Sequence, residues 1–367
     1  MKRIEWIDTT KAIGMILVFY GHYVESITNI EGPDGVSSLQ FNFIYAFHIP
    51  LFFAVSGFFA KKVTHKLAYI KTLFLQRIIP VFAFALLFIP LWLIYNRFVK
   101  DDFLLLSILK KAALYAIGNP QLDFITWFLV CLFTTELLVA GLNLLSQNKL
   151  VNLISGLCFV IFGYFLTNTV THLLGINLNI WYAQESIVAL GFYLIGHYIY
   201  AVIGNIPKRL FYLLTPLSLV LLVLSFIYID HTNTVIMATS THGNLFPFIL
   251  NSLLGIVFMI SLGHIIPSHK VFKFIGANTL ILLGLNGVFY HFINDYVAKL
   301  TVLNDSVWYI TLNALIVTLI SLALCYPIIN LIHTYMPQLF GKPFKEGPIL
   351  KPLHSYAIPY LRRKKTI

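Results

Sequence analysis

The sequence predicts an all-α, polytopic membrane protein with about ten helices in one bundle, and three observations carry that prediction. Only 11% of the 367 residues are charged while 59% are hydrophobic, and the mean hydropathy is +0.83; a soluble domain carries about 25% charged residues. The apolar runs reach roughly 20 residues, the length a helix needs to cross the hydrocarbon core of a bilayer. Alternation at period two, the mark of a transmembrane barrel, is absent. The first run starts almost at Met1 without a small-residue cleavage site, so it is expected to be a retained helix rather than a cleaved signal.

Taken in order, the first helix is expected at 8–28 and carries Asp8, Lys11, His22 and Glu25. The second, 41–60, holds His48 within Phe47-His48-Ile49-Pro50-Leu51-Phe52-Phe53 and ends near Ser56. A basic loop follows with Lys61, Lys62, His65, Lys66, Lys71 and Arg77, and Arg77 opens the third helix, 78–97, just before Pro80. The next loop, 98–124, is long enough for a short amphipathic helix from Phe103 to Ala116 whose Lys110 and Lys111 face lipid headgroups. Helices four to six are expected at 125–145, 151–171 and 182–203, with Glu136 inside the fourth and Glu185 and His197 on the sixth. Helices seven and eight are placed at 210–229 and 245–265. The ninth, 274–297, is dotted with Asn278, Thr279, Asn286 and His291, and the tenth is 308–333. Residues 1–335 then form one membrane domain. The tail, 336–367, has five prolines and the basic cluster Arg362-Arg363-Lys364-Lys365, and reads as an extended cytosolic segment that touches anionic lipid.

Placing the N-terminus inside puts 20 of the 25 Lys and Arg residues inside, leaving Arg97, Lys100, Lys110, Lys111 and Lys299 outside. Positive charge collects on the cytosolic side of membrane proteins, so both termini are expected inside. The net charge of +11 is thus mostly topogenic and gives no reason to expect nucleic acid. Cys131, Cys158 and Cys325 lack metal-ligand spacing and read as small packing residues, so no metal is expected.

The chemistry concentrates in the first two helices. His22 lies eleven residues above Lys11, roughly 16 Å along a helix, and His48 lies thirteen residues before Lys61, roughly 20 Å. The two imidazoles therefore fall in one layer, where titratable groups are expensive and are kept for function. Glu25, three residues beyond His22, shares its face and can orient the ring. The basic loop and Arg77 are suited to a phosphate-rich ligand, arginine as a fork and lysine as a point charge. Glu136, a carboxylate well inside a span, needs a partner or a proton. The small polar groups of the ninth helix are expected to join helices by hydrogen bonds. His172, His231, His242, His264, His269, His333 and His354 are read as surface residues. No nucleotide-binding glycine-rich loop, metal-ligand helix pair or nucleophile elbow is present.

These motifs resemble the integral-membrane acyltransferase family three, whose members mostly move acetyl or other short acyl groups onto sugars of bacterial envelope polysaccharides. Arg3, Asp8, Lys11 and His22 are similar to the family's opening signature, although an arginine is commoner where Lys11 stands. The segment from Phe47 to Phe53 with Ser56-Gly57-Phe58 resembles the second-helix signature and is the most specific match. Arg77 with Pro80, Trp127-Phe128-Leu129, and Ile275-Gly276-Ala277-Asn278-Thr279-Leu280 resemble three further motifs. The last of these often continues to a histidine, but here Asn286 stands in its place and His291 comes five residues later.

The resemblance implies an O-acyltransferase of a bacterial inner membrane. It would take an acyl group from acyl-CoA, acetyl-CoA first, and give it to a sugar hydroxyl of a glycan or lipid-linked glycan. His22 would be base or transient acyl carrier, with His48 and Glu25 beside it. Lys11, Lys61, Lys62, Lys66, Lys71 and Arg77 would hold the donor, and Asp8, Ser56, Asn278, Asn286 and His291 would support substrate or structure. Two other readings compete. One is a proton-coupled transporter or flippase of a lipid-linked sugar or small anion, against which the absence of two matched halves argues. The other is an acyltransferase with a peptide, antibiotic or lipid acceptor.

Overall fold

The computed structural model describes residues 4–33, 35–98, 105–174, 180–302, 304 and 306–353. Among them the regular structure is helical, and the one β-type contact is an isolated bridge between Ile236 and Thr241. The first helices are α1 (Glu5–Glu31), α2 (Val36–Tyr45), α3 (His48–Gly57), α4 (Lys66–Leu73) and α5 (Ile79–Phe98). The middle of the chain forms α6 (Leu105–Ala113), α7 (Trp127–Leu142), α8 (Lys149–Leu174), α9 (Glu185–Ile203) and α10 (Lys208–Tyr228). The last are α11 (Leu245–Ile265), α12 (Lys270–Ala277), α13 (Thr279–Phe292), α14 (Asn294–Thr301) and α15 (Val307–Tyr335).

Among the described residues, eight helical stretches are long and apolar enough to cross a membrane, or nine if α12 and α13 form one bent span, against the ten expected. The expected first span, α1, is not among them although its 27 residues reach about 40 Å. Its position explains this: α1 packs against α2, α3, α11, α12, α13, α14 and α15, so protein rather than lipid covers most of it. Polar groups are tolerated on such a helix because they face partners. The periphery shows the opposite pattern. Spans made by α8, α10 and α15 bury a third or less of their residues, whereas α7 and the α2–α3 stretch bury 72%.

Two expected helices are broken, each for a readable reason. The stretch expected at 41–60 turns at Ala46–Phe47, where Phe47 adopts φ −141°, ψ −17°. Pro50 has no N–H to give the carbonyl four residues back. That carbonyl, of Ala46, instead accepts from the Ser252 hydroxyl of α11 at 2.8 Å. The helix expected at 274–297 bends by 80° at Asn278 and breaks again before α14. The Asn278 side chain bonds the Phe274 carbonyl at 2.8 Å and faces His333 of α15, an alternative to continuing the helix. The short helix expected from Phe103 is present as α6 followed by a 3₁₀ turn to Ile117, with Phe103 itself outside the described residues. Lys110 is exposed, while the Lys111 ammonium lies 4.0 Å from the Trp92 ring centroid.

Close approach holds the site's helices in place. A Cβ on Gly57 of α3 would run into the Tyr193 carbonyl of α9, and one on Gly196 of α9 into the Ala54 carbonyl of α3. Facing glycines let two backbones touch, the usual device where helices meet inside a bilayer. At one end of the bundle, basic residues far apart in sequence gather. Lys273 pairs with Glu5 at 2.6 Å, Lys66 donates to the Gly141 carbonyl and Lys149 to that of Ala201. Beyond α15 the chain stays against this end: Gln338 is buried and Phe340 packs edge-on against Phe84. The stretch up to Leu353 is folded rather than extended, with Gln338 donating to the Leu350 carbonyl and the Leu353 amide to that of Pro343, and the basic cluster at 362–365 lies outside the described residues.

Candidate active site

His22 and His48 share a chamber of about 40 Å³. Its walls come from α1 (His22, Glu25), from the α2–α3 break (Tyr45, His48, Ile49), and from the start of α7 and the turn before it (Phe124, Ile125, Trp127). Tyr290 of α13 and the loop residues Ile236, Met237 and Ala238 complete it. The turn at Ala46–Phe47 lets both Tyr45 and His48 reach this space. The Tyr45 ring stands edge-on to both imidazoles, with centroids 6.0 Å from His22 and 4.6 Å from His48.

The hydrogen bonds determine which nitrogens are free. His22 Nδ1 lies 3.1 Å from Glu25 Oε2 and 2.9 Å from the Tyr45 hydroxyl. That hydroxyl donates to Glu25 Oε2 at 2.7 Å, and Tyr290 donates to Glu25 Oε1 at 3.3 Å. A carboxylate with Tyr45 already donating to it calls for the proton on Nδ1, so the lone pair of neutral His22 sits on Nε2. His48 is held the same way: its Nδ1 donates to the Ile44 carbonyl at 2.9 Å, leaving Nε2 as an acceptor. Both rings are thus pinned through Nδ1. The chamber has two imidazole acceptors and a carboxylate that orients one of them.

Next to the chamber lies a cavity of about 240 Å³ between α1, α3, α7, α9 and α13. Its inner part is apolar (Met15, Val18, Phe52, Phe128, Leu283), and its other part carries Lys11, Ser56, Tyr69, Arg77 and Glu136. Arg77 grips Glu136 with two bonds, Nε to Oε2 and Nη2 to Oε1, each 3.0 Å. Such a planar fork on a carboxylate is the strongest ion-pair geometry available to side chains. It gives Glu136 the partner a carboxylate within a span requires. A third cavity, about 510 Å³, lies at the basic end and shares Lys11 and Phe59 with the second. Asp8, Lys61, His197 and Tyr200 also line it.

Of the residues singled out in the sequence, His22, Glu25 and His48 come together in the chamber. Lys11, Ser56 and Arg77 line the adjoining cavity, and Asp8, Lys11 and Lys61 the one at the basic end. The rest do not join them. Lys62 lines a small recess with Lys61, Lys66 is turned to Gly141, and Lys71 is exposed and lines none of these cavities. Arg3 lies outside the described residues. Asn278 forms the helix break and Asn286 is buried outside the three cavities. His291 accepts from the Phe124 amide at 3.4 Å and packs against Trp92. Its neighbour Tyr290, one residue away and about 100° around the helix, reaches the chamber instead.

Three histidines read as surface residues are not. His242 is fully buried, its Nε2 3.1 Å from Glu185 Oε1. His264 is stacked between Trp6 and Phe211. His333 is half-buried, against Asn278. Tyr45 and Tyr290 are the site residues that sequence reasoning missed. Tyr45 lies three residues before His48, on the same face of the helix expected at 41–60, and that spacing is the signal that could have found it.

No curated protein and no solved structure matches this chain. The profile of the acyltransferase domain family matches residues 4–329, nearly the whole membrane domain and every motif described above but Arg3. With its apolar helices and buried histidine chamber, the chain belongs to the integral-membrane acyltransferase family three.

Proposed function

We propose that this membrane acyltransferase moves a short acyl group, acetyl first, from acyl-CoA to a sugar hydroxyl of a cell-envelope glycan. One observation carries the reading: His22 lines a chamber next to a cavity system reaching the basic end, and it is tied through Nδ1 to Glu25 and Tyr45, which leaves Nε2 as its acceptor nitrogen. In this reading the basic end faces the cytosol, in keeping with the positive-inside rule, and the membrane is a bacterial inner membrane. CoA binds there with its phosphates near Lys11 and Lys61, while the 510 Å³ space between Phe58, Phe59 and Tyr200 takes its nucleotide end. The thioester passes the Arg77–Glu136 pair into the apolar part of the second cavity. Arg77, already neutralised by Glu136, keeps that pair in place and offers its remaining N–H groups to the donor.

At the chamber, His22 Nε2 takes the proton of the acceptor hydroxyl as its oxygen attacks the thioester carbonyl. The C–O bond forms, the C–S bond breaks, and the departing CoA thiolate takes the proton from His22. Glu25 balances the transient imidazolium charge, the role of the third group in base–orienter arrangements. His48 Nε2 accepts from the sugar and positions it. The test compares envelope glycans by mass from cells with and without the gene. An acetyl-sized difference on one sugar supports the reading; a change only in the amount or location of an unmodified glycan refutes it. Rapid quench with labelled acetyl-CoA separates a base from a nucleophile, since only an acyl-histidine leaves label on the protein.

A further inference from the structure

The chamber and the apolar cavity share one lining residue, Ile49. It sits between His48, which faces the chamber, and Pro50, in the first turn of α3. The turn is held from both sides: His48 bonds the Ile44 carbonyl, and Ser252 bonds the carbonyl of Ala46. Ile49 is therefore a β-branched side chain on a fixed backbone, with few rotamers to move aside. On the donor side it adjoins Met15, Val18 and Phe52, a surface that suits an acyl chain. On the other side the chamber offers about 40 Å³, room for roughly three water-sized spheres. That space takes the reacting hydroxyl and a two-carbon acyl group, with the rest of the sugar outside it, and a longer acyl group meets the Ile49 side chain.

With acyl-CoA as donor, as proposed above, we propose that Ile49 is the gate between donor cavity and histidine chamber, and that its bulk sets the length of the acyl group transferred. Nothing in the acyl-transfer chemistry requires this. The gate follows from the shared wall and the small volume behind it.

The experiment measures kcat/KM of the purified full-length protein, in lipid, with acetyl-, propionyl-, butyryl- and hexanoyl-CoA and its glycan acceptor. One methylene in a snug apolar pocket discriminates about 10- to 200-fold, so wild type should lose at least tenfold by butyryl-CoA. Ile49→Ala should raise the butyryl-to-acetyl ratio at least tenfold, and Ile49→Val should raise it less. Ile49→Phe should slow transfer of every acyl group while CoA binding stays within a few fold. Active Ala and Val variants with the wild-type chain-length profile overturn the gate while leaving the acyltransferase reading intact. If Ile49→Ala does not fold, the Val ratio decides alone. A wild-type protein that transfers no acyl group from any CoA thioester overturns both.

Discussion

Glu25→Gln isolates the part of the site most completely described by geometry. The substitution keeps the shape and an oxygen that can accept from His22 Nδ1, but removes the charge. At 3.1 Å and an effective dielectric constant of about 20, a carboxylate and an imidazolium attract by about 5 kcal/mol. The retained hydrogen bond returns about 1 kcal/mol of that. Water returns some more, since the two side chains are 14% and 20% exposed. A net loss of about 3–4 kcal/mol remains, felt when His22 carries the proton, which corresponds to about 10²- to 10³-fold in rate. The assay is acetyl transfer from acetyl-CoA at saturating acceptor. The expected pattern is a fall in kcat of that size with KM for acetyl-CoA within about threefold, because Glu25 lies in the histidine chamber and lines neither of the cavities proposed for the donor. A Glu25→Gln enzyme within tenfold of wild type would show that Glu25 does not support a charge on His22, and the base assignment would fail with it.

Two further predictions concern the framework. Glu136→Gln leaves the Arg77 guanidinium inside the bundle without its counter-charge, which costs about 3–5 kcal/mol when a buried pair is broken. Because Arg77 is 25% exposed, the lower end of that range is expected, and the paired change Arg77→Met with Glu136→Leu should recover most of it in a thermal melt; a double variant as unstable as the sum of the single ones would contradict the pairing. Ser252→Ala leaves the Ala46 carbonyl unpartnered and should cost about 1–3 kcal/mol. Pro50→Ala restores an amide for that carbonyl, so the double variant should be more stable than Ser252→Ala alone, and equal melting points would refute the account of the α2–α3 break.

What could be read in advance divides along a physical line. The all-helical membrane class and most spans follow from hydropathy, which acts along the chain and needs no knowledge of packing. His22 and Glu25 were legible as a unit because three-residue spacing places them on one helical face. The common depth of His22 and His48 followed from counting residues to the basic ends. Pairings across the bundle were not legible. Glu136 plainly needed a partner, but the choice of Arg77 depends on how α7 meets the turn into α5. His242 looked like a loop residue because its partner Glu185 is 57 residues away. Breaks were hidden too. Pro50 lies within the first turn of the new helix, where proline is compatible with helix, and only the Ser252 hydroxyl reveals the carbonyl it leaves free. His291 drew attention as a titratable residue near the end of the late motif, whereas its neighbour Tyr290, about 100° around the helix, is the residue at the chamber. The basic residues after α3 part company in the structure, Lys61 lining the cavity at the basic end while Lys66 turns to Gly141 and Lys71 is exposed, and the sequence could not sort them because positive charge placed for topology and positive charge placed for a ligand look alike there.

The central claim is that the free nitrogen of His22 handles the proton, or the acyl group, during transfer. The direct measurement is transfer of label from acetyl-CoA to glycan by membranes carrying wild-type protein or His22→Ala at matched levels. The account predicts label on the glycan with wild type and none above background with the variant, which still inserts in the membrane and binds CoA. Glycan labelled at the wild-type rate by His22→Ala would contradict it.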